Sequence, residues 1–203
     1  MPKMRILILI AALLSLSCNT VMRLSPPPAA TPIPNESEAE FAVYRAVIEE
    51  LFATRQLETL VVMDTTTAGL SVDDPSAPDI KNLKSSVPEV DQALIDSFAA
   101  RNAQPSPLEN RFNLEVPVVL LSQAELDDFF GKSGAGWEAF YQTYPQSQGV
   151  LTLSRVGFNA RGDKALVYAG NMAYSLAGAG YALVLGWEDG QWQVLNQVML
   201  WIS

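Results

Sequence analysis

The chain opens with an unbroken apolar run over residues 6–14, passes through a proline-spaced stretch, and then alternates helical with strand-like periods to its end. Phe41, Tyr44, Val47, Ile48, Leu51 and Phe52 recur at helical spacing and predict an amphipathic helix to about residue 54. Leu60-Val-Val-Met63 has strand length and empties into Asp64-Thr-Thr-Thr67. The residues beyond it, with Asp73-Asp74, Pro75 and Pro78, carry no period and predict a long excursion. Val90, Leu94, Ile95 and Phe98 mark a second helix. Glu115-Val-Pro-Val-Val-Leu-Leu121 reads as a strand that Pro117, lacking an N–H, confines to an edge or a bulge. Leu126, Phe129 and Phe130 predict a short helix stopped by Gly131, and Trp137, Phe140, Tyr141 and Tyr144 predict the core face of another.

Three Ser-x-x-Glu pairs, Ser37/Glu40, Ser86/Glu89 and Ser122/Glu125, read as capping boxes, in which hydroxyl and carboxylate each satisfy a free N–H of the first turn. Residues 149–203 predict four strands, over 150–158, about 164–174, 181–187 and 192–202. Asn159 to Asp163 turns the chain, residues 175–180 form a glycine-rich link, and Asp189-Gly190 is a tight hairpin signal. In the third strand Tyr181, Leu183, Leu185 and Trp187 share a face opposite the small set Ala182, Val184 and Gly186. The expected fold class is α+β: a C-terminal four-stranded antiparallel meander with N-terminal helices packed on one face. The small face is left with room for a partner or ligand. A cystatin-like or NTF2-like cone is the closest analogy, and fold does not give function.

Composition narrows the chemistry. Hydrophobic residues make up 49% and mean hydropathy is +0.13, enough for a core without disulfide or metal staples. Formal charge is −9, and a leader that carries Lys3, Arg5 and no acid leaves −11 when removed. Nucleic acid, which needs a basic face, is excluded as a partner. Histidine is absent and Cys18 is the single cysteine, so no internal disulfide and no Cys/His zinc site is expected. No cofactor and no metal is expected.

Lys3 and Arg5, the apolar run, and Ser15 and Ser17 have the three parts of a secretory signal, and nine apolar residues are too few for a bilayer, which needs about 20. Leu14-Ser-Leu-Ser-Cys18 resembles a bacterial lipoprotein box, departing from it in Ser15 where leucine is usual. The domain boundaries are a signal peptide over 1–17, a lipidated Cys18 with a proline-rich tether over 18–35, and one α+β domain over 36–203. Ser25-Pro-Pro-Pro-Ala-Ala-Thr-Pro-Ile-Pro34 cannot make a helix and acts as a semi-rigid spacer. The expected localisation is export and membrane anchoring through the N-terminal lipid. Asn19 in place of aspartate points to the outer membrane, facing the periplasm, in a Gram-negative host.

No catalytic motif is completed. Gly131-Lys-Ser133 resembles a phosphate loop, but the upstream glycine falls at Leu126, and Gly178-Ala-Gly180 lacks the third glycine of a dinucleotide fingerprint at Leu183. Arg161-Gly-Asp163 matches an integrin tripeptide and is explained by turn chemistry. Lys81 or Lys84 with Ser85 or Ser86 lacks an apolar pocket to activate a lysine. Asp73-Asp-Pro-Ser-Ala-Pro-Asp79 lacks the glycine and terminal glutamate of a calcium loop. Arg155 stands out, because a charge in an apolar sheet needs a partner. Either a carboxylate or carbonyl of the helical layer pairs it, with Asp64 the named candidate, or it faces a cleft and binds an anion.

Tyr144-Pro-x-Ser-x-Gly149, Leu153-Ser-Arg-Val-Gly-Phe-Asn159, Ala165-Leu-Val-Tyr168, Gly178-x-Gly-Tyr181, Gly190-x-Trp192 and Trp201-Ile-Ser203 resemble a family of bacterial exported proteins whose members have no assigned activity. The resemblance extends more weakly through residues 44–52 and the strand ending at Asp64. It implies a shared fold and export and offers no substrate. Some members carry two cysteines where this chain has Ala173 and Ala177, so it implies no thiol role here. Two functions are expected from these readings. The first is a lipid-anchored, non-catalytic envelope protein that binds an envelope protein or component or serves a structural role. The alternative is a small-molecule binder or histidine-independent enzyme that uses a concave sheet face, with Arg155, Asn159, Tyr168, Asn171 and Tyr181 as ligand contacts. A pocket converging on Arg155 or Asn171 favours the alternative, and Arg155 paired in a filled core opposes it.

Overall fold

The computed structural model describes residues 35–68, 83, 87–132 and 134–203. The fold class is α+β: among the described residues, a mixed, mostly antiparallel sheet of seven strands with four helices. Helix α1 (Glu36–Phe52) starts where the Asn35 side chain accepts from the Glu38 N–H, and Glu36 and Glu38 suit the positive end of the helix dipole. Ser37 therefore lies inside the helix, and the first expected capping box does not form. Strand β1 (Leu60–Met63) is buried along its whole length. Helix α2 (Gln92–Arg101) is capped by Asp91, whose carboxylate accepts from the Leu94 N–H, in place of the expected pair Ser86/Glu89. Ser86 lies outside the described residues. Strand β2 (Val118–Leu121) begins just after Pro117 and leads into helix α3 (Gln123–Phe130), where Ser122 and Glu125 form the complete expected capping box.

Helix α4 (Gly136–Thr143) carries the aromatic stripe, and Phe140 is fully buried, as the periodicity predicts. Strands β3 (Val150–Leu153), β4 (Gly157–Phe158), β5 (Lys164–Tyr174), β6 (Ala177–Glu188) and β7 (Gln191–Ile202) follow. The β6–β7 turn has positive φ at both Asp189 and Gly190, the geometry that the Asp-Gly pair favours.

Sheet order is β2-β1-β3-β5-β6-β7, with β4 also on β5. Strand β1 runs parallel to both β2 and β3, while the pairs β3–β5, β5–β6 and β6–β7 are antiparallel. Gln148 completes the β1–β3 junction: its side chain accepts from the Val61 N–H at 3.2 Å and donates to the Val61 carbonyl at 2.6 Å. An amide side chain here stands in for a missing stretch of backbone ladder.

Three expectations need correction. Residues 150–158 are not one strand; the ladder stops after Leu153 and resumes at Gly157, because the Arg155 and Val156 N–H groups bond to the Asn102 and Glu40 side chains instead. Ala177 to Gly180 belong to β6 rather than to a link. A Cβ on Gly180 would collide with the Trp201 ring, and one on Gly178 would collide with Met172 Sδ and press on the same ring, so the glycines make room for these side chains. Helices cover both faces. Helix α1 packs with Leu151, Leu153, Val167, Leu183 and Leu185 on one side. On the other, α2 packs with Leu166, Tyr168, Ala182 and Val184, and α3 and α4 pack around Val61, Leu121 and Val150. The small face is thus filled by the chain's own elements; a Cβ on Gly157 would fall 2.6 Å from the Phe98 backbone. Parallel β1 and two covered faces depart from the expected cone.

Candidate functional site

Arg155 lies in the gap between β3 and β4 with its guanidinium turned under the N-terminal third of α1. Its Nε donates to Glu40 Oε1 at 2.8 Å and its Nη2 to Glu40 Oε2 at 2.9 Å, a two-point grip on one carboxylate. Arg101, in the last turn of α2, adds a bond to Glu40 Oε2 at 3.1 Å and one to Glu36 at 2.8 Å. The Val156 N–H donates to Glu40 Oε1 at 2.9 Å. The Tyr44 hydroxyl lies 2.8 Å from the Ser154 carbonyl and 3.1 Å from Glu40 Oε1; its single proton serves one of them at a time. The Asn102 amide pairs with the Arg155 backbone in both directions, at 2.8 and 2.9 Å.

Glu40 has a side chain only 7% exposed, against 29% for Arg155. Burial raises the Glu40 carboxyl, but the Arg155 hydrogen bonds, the Val156 N–H and the charges of Arg155 and Arg101 outweigh it, and the group is held below its ordinary value. Burial first and Glu40 second push the Tyr44 hydroxyl well above its usual range, so it stays protonated. The expected carboxylate partner exists and comes from the helical layer, but it is Glu40 and not Asp64. Asp64 follows β1, where its carboxylate accepts from Thr65. With its charge paired and its donors bonded, Arg155 is not an anion site.

The five expected ligand residues do not converge. Asn159 caps its own turn, accepting from the Asp163 and Lys164 N–H groups and donating to Asp163. Arg161 pairs with Asp163 at 2.9 Å in the same turn, which accounts for that tripeptide. Tyr168 points to the α2 side and accepts from Trp201 Nε1 at 2.9 Å; burial raises its hydroxyl. Asn171 and Tyr181 do come together, on the α1 side, where they line a 370 Å³ pocket with Glu50, Arg55 and Gln197. Asn171 Nδ2 donates to the Gln148 carbonyl at 2.9 Å, while its Oδ1 is shielded and has no partner.

A larger cleft of 630 Å³ opens at the carboxyl ends of β1 and β2. Met63, Leu126, Phe130, Trp137 and Met172 give it an apolar wall, and Asp64, Thr65, Thr66, Gln123 and Asp127 line it with polar groups. The Asp64 N–H bonds to Leu121 and the Thr66 N–H to Ser106, while the Thr67 N–H reaches Leu153, so the threonine run is pinned between neighbouring segments. Clefts beyond the carboxyl ends of parallel strands are the usual binding places of α/β sheets, because the chain leaves adjacent strands in divergent directions there. The sequence contained Asp64-Thr-Thr-Thr67 and the aromatic stripe but no sign that they meet, since neither the parallel pairing nor the sheet order can be read from four-residue runs. Among the described residues, no group of His, Cys, Asp and Glu is arranged to hold a metal ion.

Comparison with protein-family models, with curated proteins and with solved structures finds no match to this chain.

Proposed function

We propose that the chain is a lipid-anchored bacterial envelope protein that binds a small, largely apolar molecule in the cleft beyond β1 and β2, without catalysing its conversion. The cleft carries this reading. Its volume lies within the roughly 300–1,000 Å³ range of small-molecule sites, and an apolar wall with a few polar groups at one end is their common composition. Against catalysis stand Asp64 and Asp127, which already accept from Thr65 and Gln123, and the Arg155 charge, which is committed to Glu40.

Export and anchoring rest on the leader, on Leu14-Ser-Leu-Ser-Cys18 and on the resemblance to exported proteins. Cys18 lies outside the described residues. The spacer up to Pro34 would hold the domain off the bilayer on the outer membrane, facing the periplasm, in a Gram-negative host. An envelope protein as the bound partner, which the sequence also allows, would have to use another surface; the cleft favours a small molecule.

Two measurements test the two halves. Cys18→Ala should release the chain from membranes and abolish labelling by radioactive palmitate; a variant that stays bound and labelled removes the anchor. For the cleft, N-phenylnaphthylamine should brighten on binding and quench Trp137, and Val150→Trp, which fills the cleft from β3, should abolish the signal in a folded protein. Unchanged probe binding by that variant would place the ligand elsewhere and end the proposal.

A further inference from the structure

The pocket under the C-terminal end of α1 differs chemically from the cleft. Its lining includes Ala169, Ala173 and Ala179 of the sheet, which leave space because their side chains are short. Around that apolar patch stand Glu50 and Arg55 of the helix end, Asn171 of β5, Tyr181 of β6 and Gln197 of β7. Neither Glu50 nor Arg55 forms an ion pair among the described residues; the Arg55 guanidinium lies over the Phe52 ring, at 5.7 Å, and its charge reaches the Tyr141 hydroxyl. Asn171 Oδ1 is shielded from solvent with nothing donating to it. Its orientation is fixed, because the other half of the amide donates to Gln148. A shielded acceptor without a donor costs free energy unless something supplies one, and native structures rarely leave such an atom alone.

We propose that this pocket binds a free amino acid with an aliphatic side chain. A free guanidinium asks for an anion, and the carboxylate of the ligand answers it. The Glu50 carboxylate and the carbonyl end of α1 together ask for a cationic donor, and the ammonium group answers them. The alanine patch leaves an apolar space for the side chain. A ligand bearing only one of the two charges leaves half of the polar lining unanswered. The site is independent of the cleft, which lies on the opposite face of the sheet.

Calorimetric titration of the full chain, expressed with its leader and purified in mild detergent, tests this with three probes. L-leucine should bind with a dissociation constant of about 1 mM or tighter. 4-Methylpentanoate, which lacks the ammonium group, and 3-methylbutylamine, which lacks the carboxylate, should each bind about tenfold or more weakly. Arg55→Gln should weaken leucine by about tenfold or more and bring it level with 3-methylbutylamine, while Val150→Trp in the cleft should leave leucine binding unchanged. The proposal is overturned by absence of saturable leucine binding. It is equally overturned if a single-charge probe binds as well as leucine, or if binding responds to Val150→Trp and not to Arg55→Gln. None of these outcomes touches the N-phenylnaphthylamine result, so the two sites stand or fall separately.

Discussion

Under helix α1 the sheet carries polar groups at two places, one near each end of the helix, and the two are built on opposite terms. Near the N-terminal end, Glu40 takes bonds from Arg155, Arg101 and Val156, and Asn102 closes the Arg155 backbone. Near the C-terminal end, Glu50, Arg55 and Asn171 line one pocket, with no ion pair between Glu50 and Arg55 and with Asn171 Oδ1 buried beside it without a donor. The first region has spent nearly all of its polar capacity on the fold, with Arg101 Nε left shielded and without a partner, and can offer little to a ligand. The second keeps its capacity free. Polar residues under the same helix therefore sort by whether their bonds are already made, not by residue type.

The largest effect that would test this contrast is Glu40→Ala. Removing the carboxylate leaves Arg155 and Arg101 facing each other across a largely shielded site, and the Val156 N–H without its acceptor. Loss of one partner from a buried ion pair costs about 3–5 kcal/mol, which urea denaturation would read as a lower midpoint at unchanged slope. A loss below about 1 kcal/mol would mean that the network is dispensable and that the first region resembles the second.

Asn102→Ala comes next. The Asn102 side chain replaces a strand where the ladder breaks between Leu153 and Gly157, so its removal leaves the part-buried Arg155 N–H without a partner and the Arg155 carbonyl with the Ser154 hydroxyl alone. The expected cost is about 1–3 kcal/mol by the same measurement. The Asn102 side chain also bonds to the Phe98 carbonyl, so the loss should appear at the end of α2 as faster amide exchange.

These residues also show where sequence reading stops. The helix of Tyr44 to Phe52, the Ser122/Glu125 box, the buried Phe140 and the Asp189-Gly190 turn were legible because each is fixed by neighbours within a few positions. That Arg155 needs a partner was legible too, since burial of a charge sets the requirement regardless of fold. Its identity was not: Glu40 lies 115 positions away and carries a local pattern, Ser-x-x-Glu, that suits a capping box equally well. Gly178 and Gly180 read as a link because glycine disfavours strands, and only the side chains they make room for, Trp201 of β7 and Met172 of β5, explain them as strand. Asn171 and Tyr181 were named among five candidates, but polarity within an apolar strand does not say which face has a cavity beside it. Gln148, which seals β1 to β3, and the cleft itself depend on a parallel pairing for which a four-residue apolar run carries no signal.

Acid should act on the first region before the second. The folded Glu40 carboxyl titrates below its unfolded value, so its contribution is fully present above the unfolded value, about 4.3, and is lost as pH falls through the folded one. Asp163 and Glu125 move the same way. Burial raises Asp163, but its bonds from Asn159 and Arg161 together bring it down; Glu125 is lowered by its bonds with Ser122. The wild-type curve alone therefore mixes three groups. Its difference from Glu40→Gln isolates one: the stability gap between the two proteins should be constant above the unfolded value and close as pH falls below it. A gap that does not narrow would show that Glu40 is held by packing and not by its charge.

The smallest expected effect is the sharpest test of the contrast. Arg55 is exposed, lies over the Phe52 ring and forms no ion pair among the described residues, so Arg55→Gln should change stability by no more than about 0.5 kcal/mol. Set beside Glu40→Ala, that is a difference of several kcal/mol between charges under one helix, and its cause would be bonding alone. If Arg55→Gln instead costs more than about 1.5 kcal/mol, the guanidinium is holding the helix end to the sheet, and the pocket's polar groups belong to the fold like those around Arg155. A neutral Arg55→Gln that still weakens leucine gives the opposite answer. A side chain that the fold does not need, yet binding does, is the signature that separates the second region from the first.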